Sequence, residues 1–112
     1  MNLRFDAHAL RFRISSDEEK RLHVEKLLRE TVQLPKGEAL VFGIRVVDDG
    51  ALVGPNVFAI DGDNHALWLR LHPDTLRVHA HLLASKEGLS CALATGGGHV
   101  LTVNLQVDLY DR

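Results

Sequence analysis

A chain of 112 residues, 46% hydrophobic and 25% charged, is sized for one domain that buries roughly two thirds of its unfolded surface, which excludes a disordered class. Thirteen basic against fifteen acidic residues leave a net charge of −2, so no global field draws in nucleic acid or anionic lipid. The longest apolar runs, such as Ala39 to Ile44, are strand-sized and too short to cross a bilayer.

The pattern of the first fourteen residues dictates a pairing. Leu3 and Phe5 alternate with Asn2, Arg4 and Asp6, after which the parity flips and Leu10, Phe12 and Ile14 alternate with Arg11 and Arg13. That slip predicts a bulge or a turn at Ala7-His8. A two-residue hairpin sets Phe5 against Leu10, Leu3 against Phe12 and Met1 against Ile14, with Arg4 opposite Arg11 and Arg13 beside Asn2 on the reverse face. Like charges directly opposed are unfavourable, so an acidic group is expected over that face: a carboxylate of the chain, a partner, or a bound anion. Arginines alternating with apolar residues do not make a signal peptide. A single cysteine, Cys91, forms no internal disulfide, and both observations lead to the expectation of a cytoplasmic protein. Within Leu89 to Leu93 that cysteine reads as a small buried hydrophobe. No internal repeat or linker is evident, so the chain is read as one unit, 1–112.

Ser15 to Glu19 opens a helix: Ser16 and Glu19 have capping-box spacing, and three carboxylates suit the positive end of the dipole. The helix is expected over about two turns, Ser16 to Val24, and then a strand to Leu34; a longer helix to Glu30 is the alternative. Pro35-Lys36-Gly37 turns the chain into Glu38 to Val47, a nearly continuous apolar run expected to be a central strand buried on both faces. Ala51 to Pro55 reads as a loop or short edge segment. Val57 to Ile60 and Ala66 to Leu71 flank Asp61-Gly62-Asp63-Asn64-His65, a hairpin signal. Pro73 and Asp74 start a second helix with Leu76, Ala80 and Leu83 on one face, widened by Val78 and Leu82, and closed by Lys86-Glu87-Gly88. Leu89 to Thr95 and Val100 to Tyr110 are strands joined by Gly96-Gly97-Gly98-His99. The expected fold is α+β, a mostly antiparallel sheet of six to seven strands with two short helices, in the order ββαβββ(β)αββ.

Leu3-Arg4-Phe5 followed by Ala9-Leu10-Arg11-Phe12-Arg13-Ile14-Ser15-Ser16-Asp17-Glu18 resembles the opening of a family of small uncharacterised bacterial proteins. That opening reads hydrophobic-Arg alternation, a Gly-Asn-Ser turn, Ile-Arg-x-Arg-hydrophobic and Thr-x-x-Glu. The later order of elements is similar over the whole chain. Ala7-His8 departs from the family's turn residues, and Asp108-Leu109-Tyr110-Asp111-Arg112 lacks its Lys-Asp-Phe ending. The resemblance implies the fold layout and a bacterial source; it carries no activity.

Seven histidines invite a metal, but His79 and His81 are two apart, pointing oppositely on a helix, and His72 and His79 are about 10 Å apart along its axis. Neither a metal site nor a cofactor is expected. Gly96-Gly97-Gly98 lacks the Lys-Ser/Thr ending of a phosphate loop, Asp61-Gly62-Asp63-Asn64 lacks the downstream glutamate of a calcium loop, and no nucleophile elbow surrounds any serine or Cys91. No residue is assigned a catalytic role. The candidate anion- or partner-binding residues are Arg4, Arg11 and Arg13, joined by Arg70 and by Trp68, which shares its strand face. The expected function is a small binding or interaction module, homodimeric or holding an acidic protein or small anion. The alternative is a small-molecule enzyme with His72 or His65 as acid or base.

Overall fold

The computed structural model describes residues 1–54, 56–63 and 65–108. Pro55, Asn64 and the expected strand end at Leu109 and Tyr110 lie outside the described residues. The chain runs β1 (Asn2–Phe5), β2 (Ala9–Ser15), α1 (Ser16–Glu25), β3 (Leu27–Gln33), β4 (Ala39–Val46), β5 (Phe58–Gly62), β6 (Ala66–Leu71), α2 (Pro73–Val78), α3 (Ala80–Leu83), β7 (Leu89–Ala94) and β8 (Val100–Asp108). The opening hairpin has the register its alternation demands: Asn2 pairs with Arg13, Leu3 with Phe12, Arg4 with Arg11 and Phe5 with Leu10. The turn works without glycine because the Asp6 carboxylate accepts the His8 N–H at 2.7 Å, an Asx turn.

The α+β class holds, but one mostly antiparallel sheet of six to seven strands is replaced by two mixed four-stranded sheets, ordered β1-β2-β8-β7 and β3-β4-β6-β5. Parallel pairs form the centre of each: β2 with β8 and β4 with β6. Such pairs join strands distant in the chain, and alternation within a strand says nothing of its neighbour. The second helix also departs from expectation, breaking at His79 into α2 and α3. Leu76 and Leu83 stay buried, whereas Val78 and Leu82 are exposed and so is Ala80. The segment after β4 is a short 3-10 turn, Gly50–Leu52, with Leu52 buried.

One core joins both sheets. Phe12, Ile14, Val103 and Leu105 face inward from the first, and Ile44, Phe58, Leu69 and Leu71 from the second. Leu22, Leu76 and Leu83 of the helices complete it, so the outer faces of the two sheets point away from each other. β4 is central as expected, yet only one of its faces is fully buried: Ile44 and Val46 are inside, while Arg45 is exposed.

A repeat absent from the reading of the sequence emerges from the pairing. Each half of the chain is hairpin, helical segment, hairpin, and the second strand of each half pairs in parallel with the last strand of the other. At one constant offset, Asp6, His8, Ala9, Leu10, Arg13 and Asp17 recur as Asp63, His65, Ala66, Leu67, Arg70 and Asp74. The hairpin registers obey the same offset, with Arg4 opposite Arg11 where the second half has Asp61 opposite Trp68. Even the helix starts correspond: Ser15 caps α1 and the ring of His72 caps α2 by accepting the Asp74 N–H at 3.0 Å. The repeated turn is likewise held by a carboxylate: Asp63 accepts N–H bonds from His65 and Ala66, which hold its carboxyl below the ordinary aspartate value.

The capping box forms one residue earlier than the sequence spacing suggests, between Ser15 and Glu18. Ser15 already belongs to β2, so the strand end supplies the extended geometry that an N-cap needs. Lys26, left-handed at φ 64°, ends α1 and excludes a helix reaching Glu30. Glu18 accepts the Ser15 N–H at 3.0 Å and the Met1 ammonium at 2.6 Å. Its burial pushes the carboxyl upward, but the ammonium and Ser15 bonds together outweigh that and leave it below the ordinary value of 4.5. A carboxylate lowered by folding adds stability above its unfolded pKa and loses it as pH falls through the folded value. Thermal melts should therefore show the gap between wild type and Glu18→Gln widest near neutral pH and narrowing below about 4.5. Ser15→Ala should cost about 1 kcal/mol by loss of the cap.

Candidate functional site

The outer face of the first sheet is a walled groove of about 740 Å³. Its floor comes from alternate residues of three strands: Asn2 and Arg4 on β1, Arg11 and Arg13 on β2, and Thr102, Asn104 and Gln106 on β8. The β2–β8 register sets Arg11 beside Asn104 and Arg13 beside Gln106. The wall is the segment from Ser85 to Gly88, tied down by the two amide side chains. Asn104 Nδ2 donates to the Glu87 carbonyl at 2.8 Å and to Ser90 Oγ at 2.8 Å. Gln106 Nε2 donates to the Ser85 and Lys86 carbonyls at 3.2 and 2.8 Å. Gly88 lets the wall close: its φ is +71°, and a Cβ there would stand 2.7 Å from the Leu105 carbonyl oxygen.

The groove is cationic. Arg13 is ion-paired with Asp108, which answers part of the demand for an acidic group over this face. Arg4 and Arg11 sit directly opposite one another, both exposed, and among the described residues neither has a carboxylate within ion-pair distance. Lys86 and Glu87 lie on the wall. Each guanidinium presents several N–H donors in the planar arrangement that suits a carboxylate or phosphate.

The structure does not bring Arg70 and Trp68 to this groove. Both are on β6, on the outer face of the second sheet, pointing away from Arg4, Arg11 and Arg13. Alternation showed which residues of β6 share a face, but the sheet that β6 joins is a long-range matter.

The repeat makes this second face an internal control. Where the first face has Arg4, Arg11, Asn104 and Gln106, the second has Asp61, Trp68, Gly43 and Arg45. Arg45 stacks on the Trp68 ring at 3.9 Å from its centroid, a favourable cation–π geometry, and the ring lies against Gly43. Arg70, the counterpart of Arg13, is in ion-pair contact with Asp61, and reaches Asp49 at 3.4 Å. The opposed pair that is Arg–Arg on the first face is thus acid–aromatic on the second, where Arg70 is neutralised and Arg45 is held over the Trp68 ring. On the first, Arg4 and Arg11 have no carboxylate within ion-pair distance among the described residues.

Lys86, Asn104 and Gln106 were missed as groove residues. Asn104 and Gln106 were legible as the wet face of β8, but only the parallel pairing puts them beside arginines. Of the candidate acid–base histidines, His72 is engaged structurally: Nδ1 caps α2 and Nε2 lies 3.1 Å from Asp48 Oδ1. His65 stands at the rim of an apolar groove. Cys91 is buried in β7. Among the described residues no helix is long and apolar enough to cross a membrane.

The fold and the groove together define a two-sheet α+β protein with a cationic groove on the outer face of its first sheet. Comparison with protein-family models, with curated proteins and with solved structures finds no match for this chain.

Proposed function

We propose that this chain is a small binding module whose Arg4–Arg11–Arg13 groove holds an acidic group of a partner, a cytoplasmic role that needs no cofactor. The observation that carries the reading is the contrast between the two faces. The protein can neutralise this sheet position, and does so with Asp61 and Trp68, yet it keeps two opposed arginines exposed at the other copy. Directly opposed like charges destabilise a sheet by a few tenths to about 1 kcal/mol. Retaining such a pair is the trade of stability for binding seen at functional sites.

The test uses inorganic phosphate as probe. Phosphate should raise the melting temperature of the wild-type protein at low ionic strength, since a ligand of the native state stabilises it by mass action, and added sodium chloride should weaken the effect by screening. Arg11→Thr should melt slightly higher than wild type without phosphate, by about 0.2–1 kcal/mol, and should lose the phosphate response. An Arg11→Thr protein that melts lower than wild type, or that responds to phosphate like wild type, would sink the reading.

A further inference from the structure

Building on that reading, we propose that the acidic group belongs to an extended segment of a partner protein that adds to the free edge of β1, with acidic and apolar residues in alternation. Among the described residues β1 pairs only with β2. The bond from the Asp6 N–H to the Ala9 carbonyl at 3.0 Å makes that pair the hydrogen-bonded one. By the alternation of antiparallel ladders, Arg4 and Asn2 then direct their backbone groups to β2, while Leu3 and Phe5 direct theirs outward. The outward N–H and C=O groups of Leu3 and Phe5 are those a further strand would pair with.

The two faces of this edge differ in chemistry. On the outer side an added strand would lie beside Asn2 and Arg4, continuous with the cationic groove. On the inner side it would lie beside Leu3 and Phe5, at the rim of an apolar groove of about 410 Å³ that also takes in Val32, Leu40 and Leu67. Phe5 is 75% exposed, and Val32 and Leu40 are each 46% exposed, a concentration of uncovered apolar surface on one side of the molecule. Successive residues of a strand point to opposite faces, so the complementary segment has carboxylates at every second position and apolar side chains between them. A second copy of this chain is a poorer match: its own β1 carries Asn2 and Arg4 and no carboxylate, and the register with Leu3 against Phe5 sets Arg4 opposite Arg4, so the groove favours a partner of the other sign.

The probes are end-blocked hexapeptides titrated into the ¹⁵N-labelled full chain: alternating Glu and Val, alternating Lys and Val, and the Glu–Val peptide N-methylated at alternate residues. The Glu–Val peptide should shift the Leu3 and Phe5 amides saturably and slow their hydrogen exchange. The Lys–Val and N-methylated peptides should do neither. Phe5→Ser, at an exposed position, should melt close to wild type, Arg4→Ala should melt slightly higher for the same reason as Arg11→Thr, and both should weaken Glu–Val binding by about fivefold or more. Three outcomes overturn the proposal: no saturable response to the Glu–Val peptide at millimolar concentration; equal binding of the N-methylated peptide; or self-association of the chain that the peptide competes with. In each case a phosphate response lost in Arg11→Thr would leave the acidic-group reading standing, and its absence would remove both.

Discussion

Phe12→Ala is expected to lower the free energy of unfolding by about 3–5 kcal/mol, the usual cost of truncating a fully enclosed phenylalanine. Phe12 is 0% exposed, in the core where both sheets meet, and it lies directly beneath the groove floor between Arg11 and Arg13. Its counterpart in the repeat, Leu69, is also 0% exposed, so Leu69→Ala should cost about 2–5 kcal/mol. Val32→Ala, at a 46% exposed position, is the control and should stay within about 0.5 kcal/mol. Urea unfolding followed by circular dichroism reads all three. A loss under about 1 kcal/mol at Phe12 would mean that the two sheets do not share a core. Phe12→Ala should also blunt the phosphate response more than Leu69→Ala does, because only Phe12 underlies the arginine pair.

Gly43→Ala should destabilise the protein by about 3 kcal/mol, at the upper end of overpacking costs. A Cβ there would stand 2.2 Å from the Leu28 carbonyl oxygen and 2.5 Å from Cζ3 of Trp68. The indole can move, but the backbone of β3 can shift only by disturbing its pairing with β4, so adding Trp68→Ala should recover part of the loss and not all of it. Trp68 is the sole tryptophan, which makes its fluorescence the readout: displacing the ring from beneath Arg45 should shift its emission to longer wavelength. Unchanged stability and emission in Gly43→Ala would refute the packing of the Trp68 ring between Gly43 and Arg45.

The site and the fold were legible to different degrees, and the reason is range. The hairpin of β1 and β2 could be read to the residue, including the opposition of Arg4 and Arg11, because a two-residue turn leaves one register that keeps Leu3, Phe5, Leu10 and Phe12 on one side. α1 and β3 were located for similar local reasons; only the cap was misplaced by one residue, since Ser15 and Ser16 are equivalent in composition and differ in whether a strand leads into them. The Asp63 turn and the Pro73 helix start were equally local. The internal repeat was present in the string Asp-x-His-Ala-Leu-x-x-Arg and went unread, because its two copies carry different residues at the outward positions, Arg11 against Trp68.

From the amino-acid order alone follow the class of the fold, the length of most strands, and the face of each strand on which Arg4, Arg11, Arg13, Trp68 and Arg70 stand. Those properties depend on side-chain alternation and turn chemistry within a few residues. Tertiary structure decided that β2 lies against β8 and β4 against β6, and hence that five candidate residues divide between two faces pointing in opposite directions. It also decided that Asn104 and Gln106 hold a wall over the arginines and that Arg70 reaches two carboxylates while, among the described residues, Arg4 and Arg11 reach none. Parallel pairing between strands so far apart is selected by the shared burial of Phe12, Leu105, Ile44 and Leu69, a collective fit of many side chains that no short stretch encodes.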